Sequence, residues 1–291
     1  MSDTFALPAG AAVDVPDAYG AYAVGPAMGM VVRPGLCSAA RPCLGQRRVM
    51  ARFCFPEATL IVVLNGTLTL DVDADPRHFT AASGVCLVAA DTVSDICKSP
   101  AADGSAFRSL LLTFPAALLG RFLERFGAAV AGAQARRLHS LPLVSALQQG
   151  IDGLTAGLAA DALSDGRLEL RVLDLLLLLA EQGYFFAASP PVSTLARLRQ
   201  RVQDAPQQHW TAKIAGQALG MSEATLRRRL AEEGVRFEGV LRETRLMHGL
   251  LLLQTTRWSI SRVAECCGYQ SHARFSTRFK QRFNVSPSGF R

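Results

Sequence analysis

The spacing of apolar residues changes along the 291-residue chain, and the changes divide it into segments of different predicted structure. From about Ala21 to Phe114, short runs rich in β-branched residues alternate with turn residues, which predicts strands. The run over 58–70 has Asn65-Gly66 at its centre, the dipeptide that favours a two-residue hairpin. Several short strands of this kind predict a small β-sandwich or barrel. The other strands predicted with most support lie over 84–88 and 107–114.

Apolar residues return at helical spacing after Phe114. Leu118, Phe122 and Phe126 lie four residues apart behind Pro115, a residue type that suits the start of a helix. A second helix with one apolar face is predicted over about 167–183. These faces can pack against the chain's own sheet, contact a second chain, or do both, because two apolar faces offer more surface than one face of a barrel needs. In a homodimer the contact residues would be Leu118, Phe122, Val172, Leu176 and Leu179.

Two stretches have no periodicity. Residues 1–20 are rich in Ala, Pro and Gly, which predicts a tail, and residues 187–192 read AASPPV, whose consecutive prolines favour an extended spacer. The predicted domains are therefore a tail over 1–20, a β domain over 21–114, a helical region over 115–186, a linker over 187–192 and a C-terminal domain over 193–291.

The C-terminal domain begins with a helix over 194–205, followed by the pattern of a helix-turn-helix. Gly220-Met221-Ser222 is the predicted turn, and Ser222 is a suitable N-cap for the helix after it. Leu226 and Leu230 lie on the inner face of that helix, whereas Arg228 lies on the free face.

A second helix-turn-helix is predicted at the C-terminal end of the chain. Gly268 ends one short helix, Ser271 caps the next, and phenylalanines then recur every four residues at 275, 279 and 283. A long helix over about 237–255 separates the two motifs and would span roughly 28 Å. This length allows two helices to enter successive major grooves, which lie about 34 Å apart.

Positive charge is concentrated in the same domain. Residues 193–291 contain 17 Lys and Arg against 7 Asp and Glu, whereas residues 1–192 contain 14 against 17. The net charge of +7 therefore arises from the C-terminal third, as expected for a partner there that is a nucleic acid. Because these arginines lie on helices with complete buried faces, a membrane surface is the poorer interpretation.

The sequence gives little support for a metalloprotein, an enzyme, or a secreted or membrane protein. The seven cysteines have irregular spacing without a CxxC motif, and His78 is the only histidine in the β region, so we expect no metal, no cofactor and no catalysis. Arg33, Arg47, Arg48 and Arg52 either line an effector pocket or face water, and we favour water. We read neither a secretory signal nor an apolar run near 18 residues, which favours a cytoplasmic protein.

The C-terminal pattern resembles the DNA-binding domain of the AraC/XylS family. The resemblance rests on Ile260, Val263-Ala264, Gly268-Tyr269, Phe275-Ser276, Phe279-Lys280 and the final 286–291, and in the first motif on Ser222, Leu226, Arg228, Gly234 and Phe237. Arg274, Thr277 and Asn284 depart from the residues usual in that family. The resemblance covers about 194–291, and before that only the order of elements is similar.

The family resemblance implies a regulator of transcription, by habit an activator, that binds double-stranded promoter DNA and works with RNA polymerase. It implies an α+β fold: a cupin-like β-barrel with a helical dimerisation region, then an all-α domain with two helix-turn-helix motifs. Arg is the best bidentate reader of guanine, so Arg227 and Arg274 are the favoured base readers, and Lys280 a phosphate contact. The positions matching the family's DNA-contacting residues are Ala224, Arg227, Arg228, His272, Ala273, Arg274, Ser276 and Thr277.

Control of such a regulator can take two forms. A short segment around Pro115 and 118–127 resembles the subgroup that activates type III secretion, whose members can respond to partner proteins. We therefore expect control by self-association or a partner protein, with a small effector held in the β-barrel as the alternative. The rival functions are a cupin oxygenase with an accessory helical domain, and an architectural DNA binder without sequence preference.

Overall fold

The computed structural model describes residues 29–130, 136–159, 163–187 and 193–290. The chain forms two compact units, Met1–Ala188 and Ser189–Arg291, which we call unit 1 and unit 2. The predicted tail over 1–20 and residues 188–192 of the predicted linker lie outside the described residues.

The strands of unit 1 form two open antiparallel sheets. Within the described residues they are β1 (Met30–Arg33), β2 (Cys37–Ala40), β3 (Cys43–Leu44), β4 (Arg48–Phe55), β5 (Ala58–Asn65), β6 (Thr67–Val72), β7 (Asp75–Phe79), β8 (Val85–Val88), β9 (Thr92–Ser99), β10 (Phe107–Phe114) and β11 (Leu138–Leu141). The larger sheet has the order β1-β2-β10-β5-β8-β11, with β3 beside β10, and the smaller has the order β4-β9-β6-β7. Neither sheet closes on itself, so the predicted barrel is corrected to two sheets, an arrangement compatible with a cupin-like fold.

The chain changes sheets at Asn65-Gly66. The predicted hairpin is wrong, because β5 pairs with β10 and β8 in the larger sheet whereas β6 pairs with β7 and β9 in the smaller one. Gly66 has a φ of +79°, and a Cβ there would lie 2.3 Å from the carbonyl oxygen of Ser99. The glycine is thus required both by the left-handed backbone and by close approach of a neighbouring chain segment, and neither requirement depends on the two strands pairing.

Helices cover one face of the larger sheet. They are α1 (Ala116–Phe126), α2 (Ser145–Ala159) and α3 (Asp165–Glu181). The strand residues Leu60, Leu87 and Leu112 pack with helix residues in one apolar core. Both faces of β5 are buried over most of its length, which explains its run of β-branched residues.

The five residues assigned to a dimer contact lie inside this core. Leu118, Phe122, Val172, Leu176 and Leu179 are each no more than 2% exposed and pack against the sheet of their own chain. A fully buried side chain has no surface left for a second chain, so of the two alternatives the structure shows packing against the sheet. A dimer formed through α1 and α3 has to use their outer faces instead.

The predicted helical region of unit 1 also contains a strand. His139 lies on β11, which pairs with β8, and not on a helix. Its ring stacks on Tyr184 with centroids 5.2 Å apart, and burial and the nearby positive charge of Arg136 lower the pKa of the imidazole. His78 is exposed and bonds to the hydroxyl of Thr69.

Unit 2 is helical in its described part. Its helices are α4 (Thr194–Asp204), α5 (Ala212–Ala218), α6 (Glu223–Glu232), α7 (Phe237–Thr255), α8 (Ile260–Cys266) and α9 (His272–Phe283), followed by a short 3-10 turn over Pro287–Phe290. The long helix predicted over 237–255 is confirmed with those bounds. Helices α5 and α6 form one helix-turn-helix, and helices α8 and α9 form the other. Helix α7 contacts α8 and α9 directly, and Phe237 and Val240 in its first turn share an apolar cluster with α6.

Each motif of unit 2 has its own apolar packing. Around α6, Leu226 and Leu230 join a cluster that includes Leu198, Trp210 and Val240. Around α9, phenylalanine rings 275, 279 and 283 follow one another at centroid distances of 5.4 and 4.5 Å, and Phe290 packs edge-on against Phe279. The aromatic spacing that marked the second motif in the sequence is therefore its core.

Candidate nucleic-acid interface

Side-chain caps fix where α6 begins; α6 and α9 are the helices that the sequence predicts to enter DNA, and we call them the first and second recognition helices. The hydroxyl oxygen of Ser222 accepts a hydrogen bond from the backbone N–H of Thr225 at 3.1 Å, which satisfies one of the free donors at the start of α6. Before it, Gly220 has a φ of +72°, the left-handed conformation that ends α5. A Cβ on Gly216 would lie 2.9 Å from the carbonyl oxygen of Met221, so the turn is tightly packed on α5.

The free face of α6 carries the residues that the sequence assigned to DNA. Ala224, Arg227 and Arg228 are exposed, whereas Leu226 and Leu230 are buried. Arg228 pairs with Glu232 one turn further along the same helix. These side chains are thus available to a groove of DNA, but two of them are already paired with carboxylates.

Arg227 is held by carboxylates from two helices. Its Nε donates to Glu223 and its Nη1 donates to Glu238 in the first turn of α7, both at 3.0 Å. The two hydrogen bonds raise the pKa of the Arg227 guanidinium, while the backbone N–H and Arg227 lower the pKa of Glu238. Since all three side chains are substantially exposed, the net stabilisation is small, and the main effect is to limit the orientations of the guanidinium.

The second recognition helix is built in the same way. The hydroxyl of Ser271 accepts from the backbone N–H of Arg274 at the start of α9, and Gly268 ends α8 with a φ of +73°. At the other end, Asn284 caps α9 with a φ of +58°. Asn is among the few residues other than glycine that readily adopt this conformation, so the departure from glycine at 284 leaves the helix end intact.

The predicted contact residues of α9 lie on its free side. His272, Ala273, Arg274, Thr277 and Lys280 are exposed, and Ser276 is half-buried. Arg282, near the C-terminal end of α9, contacts α7.

The Nε of Arg282 donates to both carboxylate oxygens of Glu243 on α7, at 2.8 and 3.0 Å, and both side chains are partly buried. Arg282 therefore ties α9 to α7. Together with the contact between Arg227 and Glu238, this means that a glutamate of α7 reaches an arginine of each recognition helix.

An open groove of about 600 Å³ lies against α7 within unit 2. The residues that line it come from the loop before α5, from α7, from α8 and the turn after it, and from α9. They include the predicted base reader Arg274 of α9, and Glu238 of α7, whose carboxylate accepts from Arg227 of α6. We call it the interhelix groove. Its charged lining is Glu238, Arg242, Arg245, Glu265, Arg274 and Arg278.

Arg245 is part of the wall of this groove. Its Nε and Nη2 donate to the carbonyl oxygens of Pro206 and Gln208, at 2.9 and 2.8 Å. A Cβ on Gly268 would lie 2.4 Å from Nη2 of Arg245, so the turn glycine also makes room for this arginine. Arg245 thereby holds the loop before α5 against α7, and its guanidinium packs beside the turn between α8 and α9.

Sequence reasoning missed several residues of this surface. Glu223 and Arg227 stand four residues apart, a spacing that gives an ion pair on a helix and could have been recognised. Glu238 and Arg242 gave no such signal, because only the packing of the helices brings them beside the predicted contact residues, whereas Arg278 lies one turn after Arg274 on α9 itself.

Unit 1 offers different chemistry. Within the described residues, no group of three or more His, Cys, Asp and Glu side chains is placed to hold a metal ion. All seven cysteines are free thiols, and burial raises the pKa of the Cys37 thiol to about 12. In the part of the chain that the structure describes, none of the helices has the length and apolar character needed to cross a bilayer.

Comparison with known proteins places the likeness in sequence at the C-terminal end. A family model described as a helix-turn-helix domain matches residues 216–291. The chain is 36% identical over 86 residues to the urease operon transcriptional activator of Escherichia coli, covering 30% of this chain and 29% of that protein. It is 36% identical over 98 residues to the HTH-type transcriptional regulator MtrA of Neisseria gonorrhoeae, covering 33% of each. The chain thus spans about a third of the length of these curated relatives.

Comparison of structures extends over both units. A crystal structure of ToxT from Vibrio cholerae bound to (E)-4-(8-methylnaphthalen-1-yl)but-3-enoic acid covers 87% of this chain and 97% of its own, with a TM-score of 0.59 at 14% identity. Unsaturated fatty acid bound wild-type ToxT covers 88% and 96%, with a TM-score of 0.57 at 15% identity. The α+β fold, with a β-rich first unit and a helical second unit, is confirmed by this likeness.

Proposed function

We propose that the chain is a sequence-specific regulator of transcription of the AraC/XylS type, acting as an activator, because residues 216–291 match a helix-turn-helix domain and the relatives of the chain are regulators of transcription. Its partners on this proposal are double-stranded promoter DNA and RNA polymerase, and it acts in the cytoplasm without catalysing a reaction. The observation that supports the proposal best is that α7 contacts α9 and shares an apolar cluster and an ion pair with α6, while the polar faces of both helices are exposed.

The length of α7 suits this function. Its 19 residues span roughly 28 Å, so it can support two helices at about the 34 Å spacing of successive major grooves. Arg227 and Arg274 serve as the base readers, Arg228 as a further reader, and Ala224 as a methyl contact. Lys280, near the end of α9, contacts phosphate.

Base reading is tested by truncating the two arginines separately. Arg227→Ala and Arg274→Ala should each cost about 1–3 kcal/mol at a site selected by the wild type, and relax base preference in one groove only. Lys280→Ala is the matched comparison, because loss of a phosphate contact weakens binding to all sequences evenly. Unchanged isotherms for both arginine variants would refute the assignment.

Control by a small ligand is the second candidate. The apolar faces assigned to self-association are buried in unit 1, which removes one reason for preferring control by self-association or a partner protein. The fold is shared with a protein solved with carboxylic acids bound, one of them an unsaturated fatty acid. We therefore propose that unit 1 receives an apolar carboxylic acid that alters DNA binding.

A monounsaturated fatty acid is the direct probe for this second candidate. Below its micelle concentration, it should raise the unfolding temperature of the full chain and change the affinity for DNA, whereas its methyl ester, which lacks the charge, should do neither. If neither compound changes the unfolding temperature or the DNA affinity, control by a small ligand is refuted and control by a protein partner is favoured.

A further inference from the structure

The interhelix groove has a charge and position that the two recognition helices leave unexplained. Four arginines and two glutamates line it, and the arginines come from α7 and α9. The base-reading residues proposed above account for Arg274 alone. The groove therefore presents positive charge that neither packing of the domain nor base reading requires.

The charged side chains of the groove differ in the hydrogen bonds that they already make within the domain. Arg245 donates to two backbone carbonyl groups, and Glu238 accepts from Arg227. Arg242 and Arg278 are exposed, and Arg278 donates only to the exposed Gln281 within its own helix among the hydrogen bonds described. These two guanidinium groups can turn toward a ligand without breaking a contact that holds the domain together.

We infer that the interhelix groove is the seat of the DNA sugar-phosphate backbone between the two major grooves, with Arg242 and Arg278 as its phosphate contacts. This inference rests on the proposed function. Two helices that enter successive major grooves on one side of a duplex leave a stretch of backbone between them, and that stretch has to pass the surface joining the helices. In unit 2 this surface is the exposed side of α7 and the flank of α9 that form the groove.

The chemistry of the groove suits phosphate better than bases. Phosphates between two groove contacts carry the negative charge that arginines bind in a bidentate way. Arg242 lies on α7 and on neither recognition helix, so we assign it to positioning the duplex and not to reading its sequence. Glu265 lies in the same lining and limits the strip of the groove that attracts phosphate.

The first experiment measures the salt dependence of DNA affinity with the full chain. On an unselected duplex of fixed length, Arg242→Ala and Arg278→Ala should each reduce the slope of log affinity against log salt by about 1, and the double variant by about 2. Arg242→Lys should keep the wild-type slope because it keeps the charge. Arg201→Ala is the matched control, since this exposed arginine of α4 does not line the groove.

The second experiment locates the contact on the DNA. A duplex selected from a random library by the wild type is remade with uncharged methylphosphonates midway between its two recognised blocks. This change should weaken binding of the wild type roughly tenfold, as loss of a charge-assisted hydrogen bond does, and barely affect the Arg242→Ala, Arg278→Ala double variant. Equal losses for both proteins would overturn the inference.

The two experiments separate this inference from the proposed function. If the chain selects a sequence but the double variant and the wild type lose equal affinity on the methylphosphonate duplex, the proposed function is supported and the groove contact is refuted. If the variants reduce the salt slope but the chain shows no sequence preference, phosphate binding in the groove is supported and the proposed function is refuted. A double variant whose unfolding temperature matches the wild type ensures that a loss of slope is not a loss of fold.

Discussion

At the scale of single residues, hydroxyl caps and carboxylates determine where the candidate contact residues stand. Ser222 and Ser271 fix the first turns of α6 and α9, so the residues that follow them emerge on the free faces. Glu238 then acts on Arg227 from another helix. Glu238 has no assigned contact with DNA, but by restricting the guanidinium it makes one orientation of the base reader preferred.

A substitution at Glu238 tests this positioning role. Glu238→Ala should reduce the preference of the full chain for the base read by Arg227 about fivefold, because an unrestricted guanidinium can also bind phosphate. Glu238→Gln keeps an acceptor oxygen and should keep most of the preference. The measurement is competition between duplexes that differ at one base pair, and an equal loss of affinity for all duplexes would show that Glu238 merely supports the fold.

A buried lysine in unit 1 gives a pH-dependent prediction. Burial lowers the pKa of Lys98 to about 8, and its ammonium lies 5.9 Å from the ring centre of Phe107. Since the folded pKa is below the ordinary value of 10.5, the unfolded chain holds the proton more tightly, and stability rises with pH between about 8 and 10.5.

We therefore expect the free energy of unfolding of the wild type, relative to Lys98→Met, to rise as the pH increases through this window. Denaturant unfolding at pH 7, 8, 9 and 10 provides the measurement. The comparison with the variant cancels the titration of tyrosines and cysteines common to both chains, and parallel pH profiles would contradict the low pKa.

At the scale of elements, periodicity predicted what each segment is but not always what it touches. The phenylalanines of α9 and the bounds of α7 followed from helical spacing, because that spacing is a property of the segment itself. Pairing of β5 did not follow, since Asn65-Gly66 specifies a left-handed backbone and not the partner strand. In the same way, the apolar spacing in α1 and α3 does not determine whether a sheet or a second chain covers these faces.

Two leucines of α3 separate its inner and outer faces. Leu176 is 2% exposed and Leu170 is 59% exposed beside the ion pair of Arg121 and Glu169. Leu176→Glu buries a charge in the core and should cost about 4 kcal/mol or more, lowering the unfolding temperature by roughly 10 °C. Leu170→Glu should leave this temperature nearly unchanged.

Sedimentation of the same two variants bears on self-association. A dimer that uses the outer faces of α1 and α3 should dissociate in Leu170→Glu while the chain stays folded. A dimer that persists in Leu170→Glu would place the contact elsewhere, and a Leu176→Glu chain as stable as the wild type would contradict the burial of this face.

At the scale of the whole molecule, unit 2 has what a domain needs to fold alone. It has its own apolar clusters around α6 and α9 and most of the positive charge of the chain. We expect the fragment 193–291 to bind DNA with the base preference of the full chain, though more weakly if self-association adds affinity. Selection from a random library with each protein is the measurement, and binding by the full chain alone would require the domain bounds to be redrawn.

The continuity of α7 has a consequence for how this protein can change its target. Each residue added to a helix turns everything beyond it by about 100° and advances it by 1.5 Å. A single insertion or deletion in Phe237–Thr255 would therefore swing α9 out of phase with the duplex while leaving each half correctly folded. By contrast, point substitutions on the exposed faces of α6 and α9 change which bases are preferred without changing the relative orientation of the two helices. New target sites should thus arise by exchange of bases at a constant separation, and natural variation in this helix should avoid changes of length.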